Sequence, residues 1–306
     1  MKVAVTGASG LIGSALVPAL RAEGHAVVRF VRRRAAAADE VSWDPAARTL
    51  APGALDGVDA VIHLAGVGVG DRRWTADYRR QVLDSRVDGT TVISEAMSRT
   101  GSPPAVLLSA SAIGYYGDTG DRAVDETAPS GSGFLADVVQ QWEEATTAAR
   151  SAGSRVVLLR SGVVLSAAGG ALGKVLPLFK AGVGGRLGTG RQYVSWISLA
   201  DEVDAIRFLL GADNIAGPVN LTAPTPVTNA EYTAAIARAV RRPAALPVPA
   251  PALRLALGGF ADEAVLAGQR VLPRVLEGAG FPFTHPDIDT ALRAVVGSKD
   301  LDAGVR

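Results

Sequence analysis

The chain has no cysteine, which excludes disulfides, thiolate nucleophiles and Cys-ligated zinc. Its three histidines, His25, His63 and His285, stand far apart, a spacing that argues against a histidine-built metal site. Lysine is scarce as well. Lys2, Lys174, Lys180 and Lys299 are the whole supply, so the positive charge is nearly all arginine. Neither sign is in excess: 31 Lys and Arg stand against 30 Asp and Glu, a formal net charge of +1. With so weak a field, no nucleic acid and no membrane are expected as partners, and a small-molecule substrate is expected instead. No apolar run approaches the roughly 18 residues of a spanning helix. Residues 2–6 read as a strand from the outset, without the charged and apolar regions of a signal peptide, so the expected location is cytoplasmic.

What is present is a chain of 306 residues, 48% hydrophobic and 20% charged, enough to bury a large core in one big domain or two modest ones. Five continuous apolar runs, KVAVT (2–6), AVVRFV (26–31), DAVIHLA (59–65), AVLLSAS (105–111) and RVVLLRSG (155–162), have the length and texture of strands covered on both faces. Between them, residues 11–22, 74–97 (with a break near Ser85) and 134–152 read as helices. This alternation predicts an α/β fold, a Rossmann-type doubly wound parallel sheet. After Ser166 the sequence turns glycine-rich, and from Pro218 proline becomes frequent. Residues 1–165 and 190–215 are therefore assigned to the sheet domain, and 166–189 and 216–298 to a smaller substrate-side domain covering the carboxyl edge of the sheet. Residues 299–306 form a tail expected to lack order.

TGASGLIG (6–13) sets Gly7, Gly10 and Gly13 between the first strand and the first helix, the context a dinucleotide-binding turn requires. Gly7 permits the tight turn, Gly10 a close approach to a diphosphate and Gly13 close packing of helix on strand. The helix N-terminus offers unpaired amides to phosphate. Where NAD-selective proteins place a carboxylate, at the end of the second strand, this chain has Arg29 and then Arg32, Arg33 and Arg34. That substitution points to the 2′-phosphate of NADP, with Arg32 as its partner and Arg33 in support; the alternative is a solvated basic loop.

TGASGLIG, HLAG (63–66), SRVDGT (85–90) and SASAIGYYG (109–117) together resemble the extended short-chain dehydrogenase/reductases. RRW (72–74), LRSGVVLS (159–166), GTGRQYVSWISLAD (188–201) and PVTNAEY (226–232) resemble more narrowly an atypical branch of NAD-dependent epimerase/dehydratase-like proteins. That branch ends in a small domain of unknown function, matched here by about 251–296. The resemblance implies that Gly7, Gly10, Leu11, Ile12 and Gly13 touch the diphosphate, Val31 and Arg32 the adenosine ribose, and Leu64 and Ala65 the middle of the cofactor. It implies NADP contacts for Arg86 and Val164 as well; for Arg86 taken alone, a helix-surface role is the alternative. Trp74 and Trp196 either line a substrate cleft or pack in the core.

Members of that family use a tyrosine and, four residues on, a lysine as the acid–base pair. None of the five tyrosines here has such a lysine, and Phe134 and Val138 stand near the expected positions. The resemblance aligns Ser111 with the substrate-binding serine, whose hydroxyl would polarise a carbonyl; a small residue fitted against the cofactor is the alternative. Tyr115 and Tyr116, on the same loop, are the candidate replacement phenols. Asp125 with Glu126, and Asp201 with Glu202, read as structural carboxylates, and His63 as a packed, hydrogen-bonded histidine. Two functions follow: an NADP(H)-dependent oxidoreductase or epimerase-like protein acting on a small carbonyl or sugar-nucleotide-like substrate, or a catalytically impaired NADP(H)-binding sensor or interaction protein.

Overall fold

The computed structural model describes residues 1–303, with side chains through Gly297. Residues 304–306 of the tail set apart above lie outside the described residues. The chain folds into two compact units, neither of them continuous in sequence. One comprises Met1–Ala112, Asp137–Arg160 and Val203–Val219; the other comprises Ile113–Ala136, Ser161–Glu202 and the chain from Asn220 onward.

The first unit is built around an eight-stranded sheet in the order Gly217–Leu221, Arg155–Ser161, Val106–Ala112, Ala60–His63, Lys2–Thr6, Ala26–Val31, Glu40–Asp44, Thr49–Leu50. The central strands pair in parallel, with Thr6 opposite both Phe30 and His63, and Thr49–Leu50 runs antiparallel to Glu40–Asp44. The strands alternate their side chains between two buried faces. Ala4, Val61 and Leu107 join Val92, Ile93 and Met97 of the helix Ala76–Arg99 in one core. Val3, Val5, Ile62 and Leu108, equally buried, point the other way. On the first two strands packs the helix Leu11–Ala22, with Leu16 and Leu20 fully buried. Each such leucine contributes about 1.5–3 kcal/mol of burial. From the first strand the chain moves outward through the second and third, then returns to the other side of the first. That reversal opens a crevice at the carboxyl ends of Lys2–Thr6 and Ala60–His63.

Two helices differ from their sequence expectations. The helix Ala76–Arg99 runs unbroken through Ser85, whose hydroxyl donates back to Val82 O at 3.1 Å. Its start is capped by Thr75, which accepts from Tyr78 N at 3.1 Å. The helix expected over 134–152 is two, Phe134–Glu144 and Thr147–Ser151. The hydroxyls of Thr146 and Thr147 bond to the carbonyls of Glu143 and Glu144, both at 2.7 Å, an i−3 pattern that competes with the helical ladder.

The second unit gathers Leu172, Leu176 and Phe179 of the helix Gly170–Lys180, Ala235 and Ile236 of Asn229–Val240, and Ile288 and Leu292 of Ile288–Ala303 around Trp196. Trp196 is fully buried and donates its indole N–H to Thr225 O at 3.1 Å, so it is a core residue. Asn229–Val240 opens with a capping box between Thr228 and Glu231. At its far end Arg241 adopts a left-handed conformation, φ 54° and ψ 43°.

Candidate nucleotide site

The turn after the first strand is closed to any residue but glycine at its start. Gly7 has φ +66°, and a Cβ there would lie 2.7 Å from the carbonyl carbon of Leu64. A Cβ on Gly13 would lie 2.3 Å from Gly7 O, so the third glycine lets the first helical turn settle onto the loop. No side chain caps this helix and no acidic residue sits in its first turn. The amides of Leu11, Ile12 and Gly13 are therefore left without an intrahelical acceptor, at the positive end of the helix dipole.

Thr6 ties the neighbouring strand end to this turn. Its hydroxyl accepts from Leu64 N and Ala65 N at 3.1 and 3.2 Å and lies 2.8 Å from His63 Nδ1. With both amides accepted, the single hydroxyl proton goes to Nδ1, which leaves the ring proton of His63 on Nε2. That nitrogen is buried with no hydrogen-bond partner among the described residues, and the ring stands edge-on to Trp43. Burial pushes the His63 pKa down to about 4, so it is a neutral packing group at pH 7.

These elements surround a cavity of about 510 Å³, bounded by Gly7–Gly10, residues 29–33, Trp43, Pro45, residues 64–67 and Ser85. Of the residues singled out in the sequence, Gly7, Gly10, Val31, Arg32, Arg33, Leu64 and Ala65 line it together. The arginines at its rim divide by partner. Arg29 holds Asp39 through two bonds of 2.8 and 2.9 Å. Arg33 holds Glu40 through two bonds of 2.8 and 2.6 Å, and Glu40 also accepts from Ala36 N. The hydrogen bond from Arg29 keeps the Asp39 carboxyl down at about 2, and that from Arg33 does the same for Glu40. Arg33 lines the cavity as well, with its guanidinium engaged by Glu40. Arg32 is exposed and makes no ion pair or side-chain hydrogen bond among the described residues.

Arg86 stands behind the cavity wall. Its side chain is buried, Nη1 donates to Val67 O and Val82 O at 2.9 and 3.0 Å, and the guanidinium lies 4.9 Å from the centre of the Trp142 ring. No carboxylate among the described residues pairs with it. Burial lowers its pKa to about 10, so it remains a cation at neutral pH, met by two carbonyls and an aromatic face and by no carboxylate among the described residues. An uncapped helix start, a glycine cradle, an unpaired Arg32 and a buried Arg86 fit a ligand carrying several phosphate charges.

Elsewhere in the first unit, Ser111 donates its hydroxyl to Glu143 Oε1 at 2.6 Å. Glu143 in turn accepts from Arg160 Nε and Nη2, both at 2.8 Å, in a pair whose side chains are 11% and 4% exposed. The only proton on Ser111 is therefore engaged, and its oxygen presents lone pairs, the opposite of the carbonyl-polarising donor expected from the sequence. Val138, near the lysine position of related enzymes, is buried. Tyr115, Tyr116 and Val164 belong to the second unit. Tyr116 is buried and donates to Asn220 Oδ1 at 2.8 Å, which removes it as a loop acid, while Tyr115 is half-buried and edge-on to it. Val164 lies in the strand Val163–Leu165, opposite Ile197. Asp201 accepts from Thr284 N and His285 N, and Glu126 from Asn220 N, both structural roles. Glu202 accepts from Ser161 at 2.6 Å, and burial raises its pKa to about 8. The described residues contain no cluster suited to a metal ion, and none of their helices is long and apolar enough to cross a membrane.

Trp43, Glu143 and Arg160 were not singled out from the sequence. The period-two pattern of EVSWD was the signal for Trp43. An arginine inside the apolar run RVVLLRSG was the signal for a buried carboxylate partner.

Residues 3–221 match the NAD dependent epimerase/dehydratase family. The chain belongs to that family. Residues 248–295 match a domain of unknown function, in agreement with the resemblance drawn from about 251–296. An epimerase family protein of Mycobacterium bovis is 53% identical over 95% of this chain and 96% of its own length. The human epimerase family protein SDR39U1 is 33% identical, covering 97% of this chain and all of its own. The crystal structure of the human protein with NADPH superposes with a TM-score of 0.88 at 31% identity, over 97% of this chain and 99% of that one. A UDP-glucose 4-epimerase of Thermus thermophilus in complex with NAD, 20% identical with a TM-score of 0.78 over the full length of both chains, shares the fold. The α/β sheet architecture expected from the strand pattern is the architecture of this family.

Proposed function

We propose that the protein binds NADP(H) in the cavity of its first unit and acts as an oxidoreductase or epimerase-like enzyme on a small carbonyl or sugar-nucleotide-like substrate. The observation that carries the cofactor assignment is the state of Arg32: it lines the cavity unpaired while its neighbours Arg29 and Arg33 are consumed by Asp39 and Glu40. The human relative was solved with NADPH, which supports the same preference here.

In this reading Gly7, Gly10 and Gly13, with the amides of Leu11 and Ile12, hold the diphosphate. Val31 and Arg32 hold the adenosine ribose and its 2′-phosphate, and Leu64 and Ala65 flank the middle of the cofactor. Arg86 supplies buried positive charge from behind that wall. When bound, the nicotinamide supplies or accepts a hydride. Ser111, held by Glu143, offers a hydrogen-bond acceptor to a substrate hydroxyl, and Tyr115 is the phenol proposed as proton donor.

A second reading, a nucleotide-binding sensor, is favoured by one specific observation: the serine proton and the Tyr116 phenol are both spent inside the protein. The two are separated by following NADPH oxidation over a panel of aldehydes, ketones and sugar nucleotides. Turnover that falls on Tyr115→Phe supports the enzyme; stoichiometric NADPH binding with no turnover on any substrate supports the sensor.

A further inference from the structure

The sequence scatters a few cations through the second unit, at Lys180, Arg238, Arg241, Arg242 and Arg293, and the fold gathers them. They line one concavity of about 600 Å³, with Val240, Val296 and small residues completing its wall. Its lining holds five cations and no carboxylate, in a chain whose formal net charge is only +1. Arg238 is neutralised by Asp289 through two bonds of 2.9 Å. Lys180, Arg241, Arg242 and Arg293 form no ion pair with any carboxylate among the described residues.

Part of this charge answers the helix ends. Gly170–Lys180 and Asn229–Val240 both finish here, and each presents a partial negative charge of about half a unit. Together they offset about one of the four remaining charges, and the Asp287 carboxylate acts on Arg293 through space, which leaves Lys180, Arg241 and Arg242 as the larger unanswered part. Arg241 adds an independent sign. It occupies the left-handed position just past its helix, φ 54°, where glycine is the ordinary residue and a side chain is strained. An arginine there contributes nothing to ending the helix that glycine would not do better.

We propose that this concavity is an anion site separate from the nucleotide cavity, built for a soluble ligand with clustered phosphate charge, a di- or polyphosphate group. Forked guanidinium groups pair with adjacent phosphate oxygens two at a time, and several in one hollow select multiply charged anions over single ones.

The test is calorimetric titration of the full chain with inorganic tripolyphosphate, for the wild type, an Arg241→Gly/Arg242→Gln double variant and an Arg32→Ala variant. Glycine suits the backbone at 241, so the double variant is expected to fold with an unchanged or higher Tm. The expected result is salt-sensitive binding that weakens at least about tenfold in the double variant, as loss of two charge-assisted contacts implies. Arg32→Ala retains that binding, and NADPH affinity is the same in the double variant as in the wild type. Equal tripolyphosphate binding by wild type and double variant overturns the proposal, as does an absence of binding. Loss confined to Arg32→Ala also overturns it, because the probe would then be reporting the nucleotide cavity. A failure of NADPH to bind any of the three proteins counts against the cofactor assignment and leaves the tripolyphosphate comparison intact.

Discussion

Replacing Arg32 by alanine separates the two pyridine nucleotides. The side chain lines the cavity, is exposed and has no partner among the described residues, so its loss disturbs no ion pair among them. A charge-assisted hydrogen bond to phosphate contributes about 1.5–3 kcal/mol. Exposure and screening place this one at the lower end, about 1.5 kcal/mol, or roughly tenfold in Kd. NADH lacks the 2′-phosphate, so its Kd is expected to stay near the wild-type value, and the NADPH preference collapses by that factor. Arg33→Ala is the matched control: its guanidinium is held by Glu40, and its removal is expected to leave the ratio of the two affinities nearly unchanged. Calorimetry at low and physiological salt reads both quantities, and the Arg32 effect should shrink as salt rises. Equal weakening of NADPH and NADH by Arg32→Ala, or loss of the preference in Arg33→Ala but not in Arg32→Ala, refutes a 2′-phosphate contact at Arg32.

Other predictions rest on different parts of the molecule. Glu143→Ala removes the carboxylate that the buried Arg160 holds through two bonds, and breaking a buried pair costs about 3–5 kcal/mol; a large drop in Tm is expected with NADPH affinity preserved in the folded fraction, measured by thermal and calorimetric titration. Gly13→Ala gains helix propensity of about 1 kcal/mol but sets a Cβ 2.3 Å from Gly7 O, so both Tm and NADPH affinity are expected to fall, whereas a rise in Tm contradicts the packing described. Glu202, with its pKa raised to about 8, keeps its proton in the folded state while the unfolded chain releases it above about pH 4.5. Its contribution to stability is therefore fully present below pH 4.5 and is lost towards pH 8, at about 1.4 kcal/mol per pH unit. Urea melts across that window should show Glu202→Gln removing much of the decline; parallel pH profiles for the two proteins exclude the assignment.

The inner strands were legible because each is a continuous apolar run, the signature of a sheet buried on both faces. The outer ones were not. Glu40–Asp44 mixes charge with Val41 and Trp43, Thr49–Leu50 is two residues long, and Gly217–Leu221 carries a proline, so none presents an uninterrupted apolar run. That gap hides the pairing of Arg33 with Glu40. Without the third strand, nothing in the sequence sets Glu40 opposite Arg29 or within reach of the Arg33 guanidinium. The glycine turn was readable because backbone geometry dictates residue type there, and Arg32 because a charge at a strand end has few purposes. The Ser111–Glu143–Arg160 chain was not, since its members are 17 to 49 residues apart and meet only when a helix lies across two strands.

Amide hydrogen exchange reads directly whether the cavity at the glycine turn receives the cofactor. With saturating NADPH, exchange should slow at residues 7–13, 31–33 and 64–67, the first-turn amides of Leu11, Ile12 and Gly13 above all. Binding of NADPH with unchanged exchange in those three segments, or protection that falls elsewhere in the chain, contradicts the account.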